Sequence, residues 1–561
     1  RAYGGVTKFV LLWEVYSFVG IWLVRLPWGG TPHIRARKFL SGRKVFIMKK
    51  LMTLALAAGM LLGAATGASA IDFKAKGQWL MGFAAGDGSF TSHHREAGSK
   101  HNQAVDQDDA FSAMQRVRLQ LDAVASEALS GTVYFEIGDQ TWGQNSSGGA
   151  LGADSSSVVE LKNAYIDWMV PNTDLKFRMG IQAITMPNVA GGSAVLDDDA
   201  AGIVASYQFN ENVGLTAVWA RLFNDNWDGD SSASKRWTPD GYKNYQDNVD
   251  MFALTLPLTF DGVKVTPWAM YGMIGNNAWD AIDAGWDGSN GSFPKYTMRP
   301  YPYANNADIT DINTSKAYGS AFWAGLPISV TAFDPLNIEL DINYGYIESM
   351  GRYSVKQQNT GDWRRGDTKR EGWLVKALVE YKMDWGTPGI FGWYSSGDDG
   401  NVKNGSERMP TLSGCGNFMS FMGDGNYGWG DGRLYDRNLT YAGTWGVGLR
   451  LHDMSFVEDL KHSFRVAYWG GTNSPSMAKY VSSSYGWDNG TPEGPYLTTN
   501  DGLLEFNLVN SYQIYENLEA NLELGYIVNM VDDDTWKRSY RSDSYKKQDA
   551  WKAQLIFAYS F

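Results

Sequence analysis

WKAQLIFAYSF, residues 551–561, alternates without a break. Trp551, Ala553, Leu555, Phe557, Tyr559 and Phe561 fall on one face, and Lys552, Gln554, Ile556, Ala558 and Ser560 on the other. Successive side chains of a β-strand point to opposite faces, so this stretch reads as a strand with one greasy and one wetter side. The segment that begins at residue 71 keeps the same beat. Phe73, Ala75, Gly77, Trp79, Met81 and Phe83 oppose Lys74, Lys76 and Gln78.

Between these ends sixteen further segments read as strands, approximately 115–125, 131–139, 158–169, 174–183, 201–209, 213–222, 248–258, 262–273, 317–331, 336–348, 370–383, 389–396, 441–453, 462–470, 503–514 and 517–529. Their connections alternate short and long. The short ones, such as Asn210-Glu211-Asn212 and Tyr515-Glu516-Asn517, have the turn chemistry of tight hairpins. The long ones are rich in Gly, Asn, Asp, Ser and Trp. A soluble sandwich does not separate short turns to one end and long loops to the other. A transmembrane antiparallel β-barrel does, with an even strand number and both ends on the turn side. The expected fold is therefore all-β, a barrel of about eighteen strands with sixteen as the alternative count. A barrel this wide is not filled by wall side chains and holds an aqueous channel.

Residues 48–70, MKKLMTLALAAGMLLGAATGASA, supply a charged start, an apolar core and an Ala68-Ser69-Ala70 cleavage site. They read as a secretory signal peptide cut after Ala70. Residues 1–47 read as an upstream translated segment outside the mature protein, which leaves 71–561 as the barrel. Residues 1–70 hold ten of the 49 Lys/Arg and one of the 61 Asp/Glu. The mature part therefore has 39 basic and 60 acidic residues, a net charge of −21. A polyanion would be repelled, so nucleic acid is excluded as a partner, and cations are favoured in an enclosed cavity.

The strand LKNAYIDW at Leu161–Trp168, the strand end Gly180-Ile181-Gln182 leading to Met186-Pro187, and the closing Ala558-Tyr559-Ser560-Phe561 together resemble the outer membrane homotrimeric porins of sulfate-reducing bacteria, a trimeric porin type. The resemblance spans Met48 to Phe561. It implies a homotrimer set among outer-membrane lipid and lipopolysaccharide, with passive diffusion of small hydrophilic solutes and ions through each barrel. It also implies that the third long loop, ITMPNVAGGSAVLDDDA at Ile184–Ala200, folds inward. Asp197, Asp198 and Asp199 would then form the acidic side of an eyelet. Arg116, Arg118, Lys176, Arg178, Lys74 and Lys76, on the polar faces of their strands, would supply a basic wall. Acid facing base across a narrow gap would set up a transverse field.

No catalytic residue is expected. Five histidines remain after residue 70, and none can be matched with a nucleophile and carboxylate at one membrane depth. The single cysteine, Cys415, excludes a disulfide framework. No cofactor is expected, although three adjacent carboxylates also suit calcium. The sequence thus points to a weakly cation-preferring porin. The alternatives are a channel selective for sugars or organic acids, and a membrane-anchored enzyme or adhesin with a plugged barrel.

Overall fold

The computed structural model describes residues 71–87, 91–92, 110–143, 159–224, 248–275, 309–314, 318–357, 359–413, 418–421, 427, 441–481, 484, 496–536 and 546–561. The leader read at 48–70 lies outside the described residues. Eighteen strands build the barrel: β1 (Asp72–Asp87), β2 (Ala110–Ser126), β3 (Leu129–Thr141), β4 (Val159–Met169), β5 (Lys176–Thr185), β6 (Asp197–Gln208), β7 (Gly214–Asn224), β8 (Asn248–Thr255, continued by Leu258–Phe260), β9 (Val263–Val265, continued by Trp268–Gly275), β10 (Tyr318–Phe333), β11 (Leu336–Ile347), β12 (Arg370–Tyr381), β13 (Thr387–Ser395), β14 (Thr444–Val457), β15 (Leu460–Gly471), β16 (Gly502–Tyr515), β17 (Leu518–Asn529) and β18 (Ala550–Ser560). Each strand pairs antiparallel with its neighbours. β1 pairs with β18 as well as with β2, which closes the sheet. Every segment expected from alternation is a strand.

The seam is well made. Gln78 to Asp87 lie opposite Ser560 to Trp551 in unbroken register. Gly77 and Phe561 then exchange backbone hydrogen bonds at 2.8 and 3.0 Å. A Cβ on Gly77 would lie 2.5 Å from the Phe561 ring, so glycine is what lets the terminal aromatic lie over the seam.

Alternation separates two solvents. On β11, Ile342 and Tyr344 are 40% and 36% exposed, while the intervening Asp341 and Asn343 are 1% and 5% exposed. The outer face repeats this pattern with Trp373, Val379, Val447, Leu449, Leu522 and Leu524. Phe260, Phe333, Tyr381, Trp385, Tyr512 and Tyr515 stand exposed near the short turns, where a headgroup girdle belongs. A closed sheet leaves no bare edge for lipid, and its apolar outside matches hydrocarbon. The chain is an outer-membrane β-barrel.

One expectation needs correction. Asp197, Asp198 and Asp199 are not in a loop; they open β6, opposite Thr185, Ile184 and Ala183 of β5. Ladder hydrogen bonds hold them extended, and adjacent strand residues turn to opposite faces, which separates the three charges. The third connection is thus reduced to residues 186–196.

Candidate channel constriction

Residues 186–196, MPNVAGGSAVL, contain few groups suited to water. Gly191 and Gly192 have φ of 60° and 81°, which bends the chain back on itself. Met186, Ala190, Ala194, Val195 and Leu196 are all buried. The connection turns into the lumen, where the apolar side chains pack against the far wall. Trp268 of β9 donates its indole N–H to the Pro187 carbonyl at 3.0 Å. A Cβ at Gly325 of β10 would meet that indole at 2.2 Å, so the neighbouring strand leaves room for the ring.

Charged groups of the wall hold the turn. Asp341 of β11 accepts the N–H groups of Val189 at 3.1 Å and Ala190 at 2.7 Å. Lys376 of β12 lies 3.4 Å from Asp341 and donates to the Gly192 carbonyl. Tyr441 donates to the Gly191 carbonyl at 2.6 Å. Hydrogen bonds to charged groups contribute about 1.5–3 kcal/mol each, and a buried charge that loses its partner is costly.

A second connection, the long one between β13 and β14, enters the same space. Its Leu412 and Ser413 donate backbone N–H groups to Val195 at 2.9 and 3.1 Å, and Ser413 donates its hydroxyl to Asp198 at 2.8 Å. Trp323 of β10 donates to the Pro410 carbonyl at 2.9 Å. Phe418 stacks on Phe391 with ring centroids 4.6 Å apart. Further round the wall, on β16, the Ser420 N–H donates to Asn507, and the Phe421 N–H to Glu505, each at 2.9 Å. Lys552 of β18 donates to the Ser420 carbonyl at 3.2 Å and pairs with Glu523 of β17 at 2.7 Å. Tyr427 packs on the cluster of Leu80, Ala84, Met114, Ile556 and Ala558. The two connections therefore form one layer across the barrel. It is rooted at β5/β6 and meets the wall along β9 to β13 and again along β16 to β18.

The expected site residues take different places. Asp198 shares the lumenal side with Ile184 and joins the layer through Ser413. Asp199 lies opposite Ala183, beside the exposed Ile181 and Met179 positions, and bonds Lys162 and, at 2.8 Å, Asn163. Asp197 accepts from Thr185 at 2.6 Å. The three carboxylates do not converge on one point, so they do not fit a calcium ion.

Arg116, Arg118, Lys176 and Arg178 lie near acids on adjacent strands. Arg118 bonds Glu136 at 2.6 Å, and Arg116 lies 3.7 Å from Asp139. Arg178 grips Asp167 with two bonds of 2.8 Å and covers the Tyr165 ring, with Lys176 4.0 Å from the same carboxylate. Lys74 lies 3.7 Å from Asp72 at the open turn end, where Lys76 is also exposed. Arg450 bonds Glu380 at 2.7 Å in the same style. The turn-side half of the lumen is thus lined by acid–base pairs running along the wall.

Sequence reading missed the second inward connection. Its signal was the apolar content of a Gly-rich stretch: Val402, Met409, Leu412, Phe418, Met419 and Phe421, all buried. Most of residues 423–432 lies outside the described residues, as do His93, His94 and His101.

No family model matches the chain, and no curated protein matches it. Solved structures do. OccK11 (OpdR) of Pseudomonas aeruginosa is 10% identical, with 87% of this chain and 96% of that one covered and a TM-score of 0.43. OpdQ of the same organism is 12% identical, covering 87% and 98%, at a TM-score of 0.42. OpdO is 13% identical, covering 87% and 97%, at 0.44. Likenesses at these scores carry no argument about function, and the barrel is read from its own geometry.

Proposed function

We propose that this barrel is an outer-membrane channel for passive diffusion of small hydrophilic solutes and ions. The observation that carries the reading is a polar, charge-lined lumen narrowed by inward connections whose backbone is hydrogen-bonded to the wall. A plug that had only to seal would gain nothing from the partly exposed Arg118–Glu136 and Arg178–Asp167 pairs below it. The cation preference favoured by the net charge is part of this proposal. It is weak, because Arg116, Arg118, Lys176 and Arg178 each lie beside an acid. Stepwise conductance in planar bilayers tests the channel; a folded barrel that leaves the bilayer silent would overturn it. Reversal potentials in a salt gradient test the preference.

A second reading, a channel selective for one class of polar solute, is favoured by the second connection across the lumen. Two crossing segments leave less room for a hydrated solute than one, so the solute's own shape and hydrogen bonds count for more. Saturable block of the ion current by one solute class supports it; equal passage of sugars and organic acids of equal size counts against it. The homotrimer implied by the porin resemblance is also proposed, and sedimentation of the detergent-solubilised protein measures it.

A further inference from the structure

We infer that two buried lysine–carboxylate pairs, Lys376–Asp341 and Lys552–Glu523, are positioning residues that fix the two inward connections and so set the width of the conducting path. The inference rests on the channel reading and names the residues that give it its bore.

The pairs stand on separate parts of the wall, β11/β12 and β17/β18, and both are buried. Side-chain exposures are 0% and 2% for Lys376 and Asp341, and 0% and 1% for Lys552 and Glu523. An ammonium stripped of water needs each of its protons accepted, or its burial is not compensated. Here a carboxylate lies within ion-pair distance, and a loop carbonyl accepts one proton, Gly192 for Lys376 and Ser420 for Lys552. The acid side answers in kind. Asp341 receives the N–H groups of Val189 and Ala190, while Glu505 and Asn507, beside the second pair, receive those of Phe421 and Ser420. Each connection is therefore held by a donor and an acceptor at once, at its backbone, independently of its side chains. An aromatic ring lies beside each lysine: Tyr441 at 5.4 Å from Lys376 and Phe421 at 5.2 Å from Lys552.

The acid–base pairs nearer the turns differ. Arg118, Arg178 and their partners are 16–37% exposed and are stabilised by water as well as by each other. Removing one of them alters charge along the path. Removing a buried lysine instead lets a connection leave the wall.

The test compares Lys376→Met, Lys552→Met and the double variant with the unaltered protein. Asp341→Asn combined with Lys376→Met serves as a fourth variant, with no unpaired carboxylate to disturb folding. Unheated electrophoretic mobility selects closed barrels. Unitary conductance in potassium chloride and exclusion of graded polyethylene glycols are then read. Each single variant is expected to raise conductance about twofold and to admit a larger polymer, with the double variant exceeding both. Lys376→Arg, which keeps a charged donor, is expected to stay at the unaltered level. Closed barrels with unchanged conductance and polymer cut-off would overturn the inference. If the unaltered protein does not conduct, the channel reading fails. The clamps are then judged by protease cleavage within 186–196, faster in the variants if they hold the connection and unchanged if they do not.

Discussion

The Tyr496 hydroxyl donates to Asp398 at 2.8 Å, tying the connection after β15 to the connection after β13. Ser406 donates to the other oxygen at 2.7 Å, and the Asp398 N–H is held by Asn473. Burial pushes the Asp398 carboxyl up to about 7, against the opposing pull of Arg408, the Ser406 bond and Arg370. A carboxyl whose folded value is raised stabilises the assembly fully below its ordinary value near 4. That stabilisation is lost as pH rises through 7, a swing of roughly 4 kcal/mol at most. Protection factors of residues 396–413, with the intrinsic base-catalysed rate divided out, should therefore be higher at pH 5 than at pH 8. Asp398→Asn should flatten the difference.

Gly325 makes room for the Trp268 indole. Gly325→Val would force that ring away and break its bond to Pro187, with an expected cost of about 2–4 kcal/mol. Urea unfolding of the barrel in detergent measures the loss. Gly325→Ala should fall between the two.

Arg118 and Arg178 each neutralise an acid on the lumen wall. The double change Arg118→Ala with Arg178→Ala leaves Glu136 and Asp167 as excess negative charge. The cation-to-anion permeability ratio is expected to rise about twofold, most clearly at low salt where screening is weak. Reversal potential in a potassium chloride gradient gives the ratio, and an unchanged value would show that ions pass elsewhere.

Asp198 links β6 to Ser413. Asp198→Ala removes a hydrogen bond to a charged acceptor, a loss of about 1.5–3 kcal/mol at that contact. Protease cleavage near residue 413 should accelerate, while Asp197→Ala, whose partner is the exposed Thr185, should leave the rate unchanged.

The barrel was legible because its signal is local. Each strand states its faces within ten residues, as 551–561 does. The constriction was less so, because its contacts join residues far apart in the chain. Ala190 meets Asp341 across 151 positions, and Gly191 meets Tyr441 across 250. Nothing near Gly191 signals that a tyrosine so distant will donate to its carbonyl. The aspartates misled for a related reason. Three adjacent acids look like a loop, yet in an extended strand they turn to different sides and each finds its own partner. Lys552 was legible as a polar-face residue, but not as a buried one, since burial depends on what the connections bring to it.

The inward layer is rooted at β5/β6 and fixed along two further arcs of the wall, β9 to β13 and β16 to β18. A plate held along several arcs of its rim cannot rock, whereas one fixed along a single side behaves as a flap. Thermal motion of the lipid around the barrel would flex the wall without tilting what it carries. The current through such a channel should hold one steady level with little flicker.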